Sequence, residues 1–249
     1  MNVGSSIDEK ELSKLESNDW WNSSGQFKIL HEINKIRVDY IIDKIKRCFQ
    51  DKDGKVSFDK MNILDVGCGG GLASEALAEF GFNITAIDAS QENIRTADAH
   101  SRHSVKYECN TPEGLLEHAD IKQFDAVICL EVLEHVANLD DFIMNLCSLV
   151  KSGGALIVST INRNIKSYLL AIIMAEYVLN WVPKGTHSHD KFIKPSQLHS
   201  ILKRNNTRIN DLQGMIFDIS QQKWVLNDDI SVNYLLYAIK DKSYSDIRF

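Results

Sequence analysis

The sequence predicts an α/β fold built on a mostly parallel sheet, and three observations carry that expectation. Between residues 61 and 161 short apolar runs alternate with helical patterns, as in a parallel sheet covered on both faces. A glycine-rich turn, LDVGCGGG (Leu64 to Gly71), joins the first run to the first helix of that series. An acid, Asp88, closes the second run. Composition agrees: 249 residues, 44% of them hydrophobic, suffice for one large core. A net charge of -6 with no Lys/Arg tract argues against phosphate-backbone binding, so no nucleic-acid partner is expected.

Taken in order, residues 7–19 and 27–50 read as helices separated by WWNSSGQ, and DKDGK (Asp51 to Lys55) ends this N-terminal cap. In the second helix Ile29, Leu30, Ile33, Ile36, Tyr40, Ile41 and Ile45 recur at helical spacing. MNILDVG (61–67) is a strand, and LASEALAEF (72–80) is a helix closed by Gly81. NITAID (83–88) is a strand, and Ser90 caps a helix running to about residue 102. SVKYEC (104–109) is a strand followed by a short helix with Pro112 in its first turn. FDAVICL (124–130) is a strand, 138–150 a helix and GALIVSTI (154–161) a strand. Then the alternation stops: an apolar helix over about 166–181, a loop, a helix near 195–205, and strands at 214–219 and 232–240. The expected organisation is a single domain: cap 1–55, cofactor-binding core 56–162, helical insertion and substrate or membrane lid 163–206, final strands 207–249.

Five scattered cysteines without a CxxC pair predict free thiols in a reducing compartment; Cys68, Cys109 and Cys129, on or beside apolar runs, are expected to be buried. The N-terminus lacks the pattern of a secretory signal. The most apolar window, Tyr168 to Val182, is shorter than the roughly 20 residues a spanning helix needs, and Glu176 interrupts it.

The chemistry gathers at the strand ends. Gly67, Gly69 and Gly71 allow a tight turn and close approach of a ligand to backbone amides at a helix N-terminus. Asp88 sits where an acid accepts hydrogen bonds from ribose hydroxyls. Leu72 stands where a dinucleotide fingerprint needs Gly or Ala; the spacing is GxGxG with Asp65 before it, a form typical of S-adenosylmethionine-dependent methyltransferases. ICLEVLEH (Ile128 to His135) leaves the fourth strand beside that loop. If a helical turn begins there, Glu131, Glu134 and His135 share a face and suit a divalent cation, an acid/base pair or a hydrogen-bonded helix end.

Further stretches narrow the reading. LDVGCGGG, ICLEVLEH, STINRN (159–164), VPKGTH (182–187) and KFIKP (191–195), together with Trp20-Trp21, Phe27 to Asn34 and Arg37, resemble the ubiquinone-biosynthesis O-methyltransferase family. That family covers 3-demethylubiquinol 3-O-methyltransferases, which also methylate 2-polyprenyl-6-hydroxyphenols. The resemblance implies a class I S-adenosylmethionine-dependent methyltransferase fold with a Rossmann-like sheet. It places cofactor contacts at Arg37, Gly67, Asp88 and Leu130, with Asp65, Gly69 and Gly71 completing the cofactor side. It also implies a possible Mg2+ on Glu131, Glu134 and His135, the three catalytic candidates. The chain departs from the family in the cap, where Asn22 replaces an acid and Ile29 and Lys35 replace prolines.

The implied reaction moves a methyl group from a sulfonium to a phenolic oxygen. A phenol has a pKa of about 10, so its nucleophile must be generated, either by a cation bound to the catechol or by Glu134 or His135 as general base. The implied substrate is a polyprenylated phenol or catechol; the alternative is a small soluble phenol or acid. A polyprenyl substrate requires access to a bilayer surface. Residues 166–184, with Tyr168, Tyr177, Trp181 and Lys184 around aliphatics, suit either an interfacial segment or a buried lid. The expected location is cytoplasmic, peripheral at the inner membrane face, with other ubiquinone-biosynthesis proteins as possible partners.

Overall fold

A computed structural model describes residues 12–13, 16–118, 122–168 and 189–242. Eight strands form one sheet in the order β3-β2-β1-β4-β5-β8-β6-β7. They are β1 (Asn62–Val66), β2 (Asn83–Asp88), β3 (Val105–Cys109), β4 (Phe124–Leu130), β5 (Val150–Ile161), β6 (Thr207–Asp218), β7 (Lys223–Asn227) and β8 (Asn233–Lys240). β1 to β5 run parallel, and β8 enters antiparallel between β5 and β6. The strand order reverses direction beside β1 and β4, so their carboxyl ends border the crevice where open α/β sheets bind ligands.

Alternation along the strands explains the two apolar layers. Val127 and Cys129 of β4 join one core, with Phe142, Ile143 and Leu146 of α5 (Leu139–Leu149) and Leu198, Ile201 and Leu202 of α6 (Pro195–Arg204). Ala126 and Ile128 join the other, against Ile41 and Ile45 of α1 (Lys28–Phe49) and Leu77 of α2 (Leu72–Ala78). Hence α1 is a layer of the sheet packing as well as a cap. Ser90 and Thr111 cap α3 (Gln91–His100) and α4 (Pro112–Leu116) through side-chain oxygens that accept from Asn93 N and Gly114 N.

The departures from expectation have local causes. The first helix ends by residue 16: Ser17 N donates to Asn93 Oδ1 and Asp19 N to Ser17 Oγ, so side chains replace the helical ladder. β6 begins seven residues earlier than the apolar pattern indicates, and β7 was not anticipated. A register shift between Ile209 and Asp211 breaks the period-two pattern of β6, and β7 is a partly exposed edge strand. Cys109 is exposed rather than buried, while Cys68 and Cys129 are buried as expected; all five thiols are free. The apolar helix expected over 166–181 begins with a helical turn, Ile165–Ser167; most of it and VPKGTH lie outside the described residues. Among the described residues no helix is long and apolar enough to cross a membrane.

Candidate active site

The glycine loop hangs from the end of β2: the amides of Gly67 and Cys68 both donate to Ile87 O, at 2.8 and 3.0 Å. Gly67 has φ +72°, a left-handed conformation, and a Cβ there would stand 2.3 Å from Val132 Cγ2. The loop therefore touches the ICLEVLEH segment directly. Gly69 (φ +53°) lies under the ring of Trp20, 2.4 Å from where its Cβ would be. Its amide donates to Asp88 Oδ2 at 2.9 Å. Gly71, also left-handed at φ +84°, leads into α2.

Asp88 is buried and also accepts from Ser90 N and from Asn93 Nδ2. Burial raises its pKa, opposed chiefly by the amide bonds from Ser90 and Gly69. Asn93 Oδ1 in turn accepts from Trp20 Nε1 at 2.9 Å, and Trp21 Nε1 donates to Gly70 O at 2.8 Å. Trp20 stacks on Phe27 with ring centroids 3.8 Å apart. The paired tryptophans thus roof the glycine loop. Trp20 and Asn93 had no assigned role in the sequence; the Trp-Trp pair was its only signal.

Asp65, at the end of β1, is buried and accepts from Ser74 Oγ of α2. Burial pushes its pKa up to about 6, offset by the Ser74 bond and then by Arg37, while Asp88 adds to the rise. Arg37 of α1 is 3% exposed, and its Nε has no hydrogen-bond partner among the described residues. Its Nη1 stands 3.8 Å from Glu131 Oε1. Burial lowers the guanidinium pKa, with Glu131 and then Asp65 opposing. A buried cation with a donor left over among the described residues suits the carboxylate of an amino-acid-bearing ligand. Asp65 lies within electrostatic reach of both Arg37 and Asp88, and carboxylates of this kind can accept from ammonium and hydroxyl groups. Leu130, half-buried, ends β4 against the same layer. Of the seven residues expected on the cofactor side, Asp65, Asp88 and Leu130 lie at the carboxyl-terminal ends of β1, β2 and β4, the three glycines form the turn after β1, and Arg37 approaches Glu131 from α1.

ICLEVLEH does not continue as the helical turn the spacing suggested. Glu131 has φ +57°, and a 3-10 turn over Leu133–His135 follows. Left-handed geometry costs a non-glycine residue roughly 1–2 kcal/mol. Ser159 offsets it from both sides: Glu131 N donates to Ser159 O and Oγ, and Ser159 Oγ donates to Glu131 Oε1 at 2.6 Å. Glu134 is 3% exposed and accepts from Thr160 Oγ1 at 2.7 Å. Burial and then the Glu131 charge hold its pKa well above the carboxylate range, against the Thr160 bond. His135 is half-buried at the end of the turn, its amide donating to Val132 O.

The expected cation set gains no support from this arrangement. Glu131 leaves β4 with a left-handed backbone, and the two carboxylates accept from Ser159 and Thr160 of β5. Among the described residues, no group of three or more His, Cys, Asp or Glu side chains is arranged to hold a metal ion. Glu131, Glu134 and His135 do not fit the implied Mg2+ as a triad.

STINRN and KFIKP brace this segment. Asn162 Nδ2 donates to Ile230 O and Asn164 Nδ2 to Ser231 O, fixing the approach to β8. Ile193 N donates to Ile161 O, and Tyr234 OH donates to Ile193 O, close enough to Glu134 to feel its charge. Ser159 and Thr160 belong to this motif, but their carboxylate bonds could not be read from it.

Comparison with known proteins bears on this geometry. A family model described as "Methyltransferase domain" matches residues 33–211. The "Ubiquinone biosynthesis O-methyltransferase" of Rickettsia typhi is 49% identical over 241 residues, covering 95% of this chain and 94% of the relative. The protein of the same name from Rickettsia bellii is 49% identical over 243 residues, covering 95% and 98%. Among solved structures, the magnesium protoporphyrin IX methyltransferase of Synechocystis PCC 6803 with bound SAH superposes with a TM-score of 0.60 at 18% identity, covering 94% of both chains. Its SAM-bound form gives 0.59, a likeness of fold.

Proposed function

The chain belongs to the ubiquinone biosynthesis O-methyltransferase family and is an S-adenosylmethionine-dependent O-methyltransferase; from that premise we propose its substrate, its base and its membrane contact. The substrates are the polyprenylated catechol or hydroquinol 3-demethylubiquinol and the phenol 2-polyprenyl-6-hydroxyphenol. The observation that carries the reading is the contact between the two halves of the site: Val132, inside the acidic segment, lies against the Gly67 turn of the cofactor loop.

Bound in that crevice, S-adenosylmethionine supplies a sulfonium-activated methyl group. Arg37 would hold its carboxylate, Asp65 and the loop amides its amino-acid end, and Asp88 the ribose, with Leu130 against the base. Glu134 is the proposed general base. Its raised pKa narrows the gap to the phenol's ordinary value of about 10, which favours proton transfer near neutral pH. Thr160 fixes one carboxylate oxygen, and the Glu131 carboxylate, beside Arg37 and Ser159, adds to the rise in Glu134's proton affinity. The remaining contribution is alignment of donor and acceptor in a water-poor site.

The test is methyl transfer to a short-prenyl catechol and a matched monophenol, before and after EDTA treatment. Turnover of both, with less than about a twofold change on chelation, is expected because a base activates either phenol by the same route. A tenfold loss restored by magnesium would return the cation to the site. High turnover of prenyl-free catechols, with no gain from the chain, would favour the small-phenol reading.

The polyprenyl tail calls for a membrane surface, and residues 166–184 are the proposed contact. Ile165 and Tyr168, at the head of that stretch, are 78% and 43% exposed. Co-sedimentation with anionic vesicles should fall at least threefold in a Leu170→Glu, Trp181→Glu variant, since each substitution removes an apolar anchor at the headgroup boundary. Unchanged partitioning with unchanged melting would assign the stretch to a lid instead. The proposed location is the inner membrane face, as a peripheral protein.

A further inference from the structure

One face of α1 places Arg37, Tyr40, Ile41 and Lys44 at i, i+3, i+4 and i+7, and all four are buried. Arg37 faces the crevice; the other polar members of the row reach Asp211 of β6. Lys44 Nζ stands 2.9 Å from Asp211 Oδ2, and Tyr40 OH donates to the same oxygen at 2.9 Å. Lys44 Nζ also lies 4.7 Å from the centre of the Tyr40 ring. Asp43 approaches Lys44 at 3.3 Å from the solvent side of the helix.

Asp211 reaches α1 because of the irregularity in β6. Ile209 pairs with Ala238 and Asp211 with Tyr237, so Asn210 is an extra residue. Without that bulge, Asp211 would share the face of Ile209, which packs in the core on the opposite side of the sheet from α1. The bulge turns one carboxylate onto the helix and leaves Leu212 in the α5 and α6 core. A buried ammonium and a phenol on successive turns, sharing one acceptor, fix the rotation of a helix more narrowly than aliphatic packing does.

We propose that Asp211 is a positioning residue: through Tyr40 and Lys44 it sets the rotation of α1 about its axis and so aims the Arg37 guanidinium into the cofactor crevice. The proposal rests on Arg37 receiving the carboxylate of the methyl donor. A 20° rotation would carry a side chain about 6 Å from the axis sideways by about 2 Å, enough to break a hydrogen bond.

Calorimetric titration with S-adenosylmethionine and with 5′-methylthioadenosine, which lacks the amino-acid group, separates positioning from folding. Tyr40→Phe and Asp211→Asn should each weaken S-adenosylmethionine binding by roughly 3- to 30-fold while methylthioadenosine affinity stays within twofold. Asp211→Asn leaves Lys44 buried without its carboxylate, so Asp211→Asn with Lys44→Met serves as the charge-free version and should show the same selectivity. Equal losses for both ligands, or no loss in Tyr40→Phe and the double variant, would overturn the proposal. Arg37→Leu is the control for its premise. If that variant binds both ligands like the parent, the assignment of Arg37 fails; if it loses only S-adenosylmethionine while Tyr40→Phe loses nothing, the positioning role alone fails.

Discussion

Replacing Glu134 with Gln is expected to lower kcat by about 10²- to 10⁴-fold, the usual contribution of a positioned general base. The substitution keeps the volume and an oxygen that accepts from Thr160, so the turn is preserved. It also removes a carboxylate that burial and Glu131 make costly to ionise. The folded-state pKa is raised, so the parent is unpenalised below the ordinary glutamate value and loses stability as pH rises from there through the raised value. Glu134→Gln should therefore melt at the same temperature as the parent in acid and a few degrees higher at neutral pH. The parent's kcat/KM should climb with pH through the neutral range as Glu134 ionises, and the residual rate of the variant should be flat. A variant that keeps its rate, together with loss of rate in His135→Asn, would move the base to His135.

Gly67→Ala is the second large effect. The added methyl meets two obstacles: a backbone at φ +72°, where alanine is strained by roughly 1–2 kcal/mol, and Val132 Cγ2 at 2.3 Å. Val132 is β-branched and cannot swing aside freely, so relief must come from moving the segment that carries Glu131 and Glu134. Affinity for S-adenosylmethionine and kcat should both fall, each by about 10- to 100-fold, because an ångström-scale displacement touches loop and base together. Adding Val132→Ala removes the clash and leaves the strain. It should restore most of kcat and only part of the affinity. If the pair recovers neither, the loop and the acidic segment are not coupled through this contact.

The legible part of this molecule was the part governed by local rules. LDVGCGGG announced a turn that only glycine tolerates, and the structure has Gly67, Gly69 and Gly71 all left-handed. FDAVICL and NITAID showed strand boundaries that the structure reproduces, because β-branched and apolar residues end there at turn chemistry. Asp65, Asp88 and Leu130 could be placed at one sheet edge because parallel strands put their carboxyl ends together. The spacing of ICLEVLEH misled, because i, i+3, i+4 implies a shared face only inside a helix. Glu131 leaves β4 with a positive φ, and Ser159 of β5 stabilises that exit.

By itself the sequence determined the parallel part of the sheet, the glycine loop, the family and the reaction class, since periodicity, turn chemistry and motif spacing are properties of neighbours along the chain. The tertiary structure alone decided what the buried charges face. Nothing near Glu134 in sequence names Thr160 as its partner, and nothing near Arg37 names Asp211 as the anchor of its helix. Those pairings join residues 26 to 171 positions apart, and one depends on a single extra residue in β6. Burial and long-range contact set the proton affinity of a carboxylate and the aim of a guanidinium, and both arise only when the sheet closes around them.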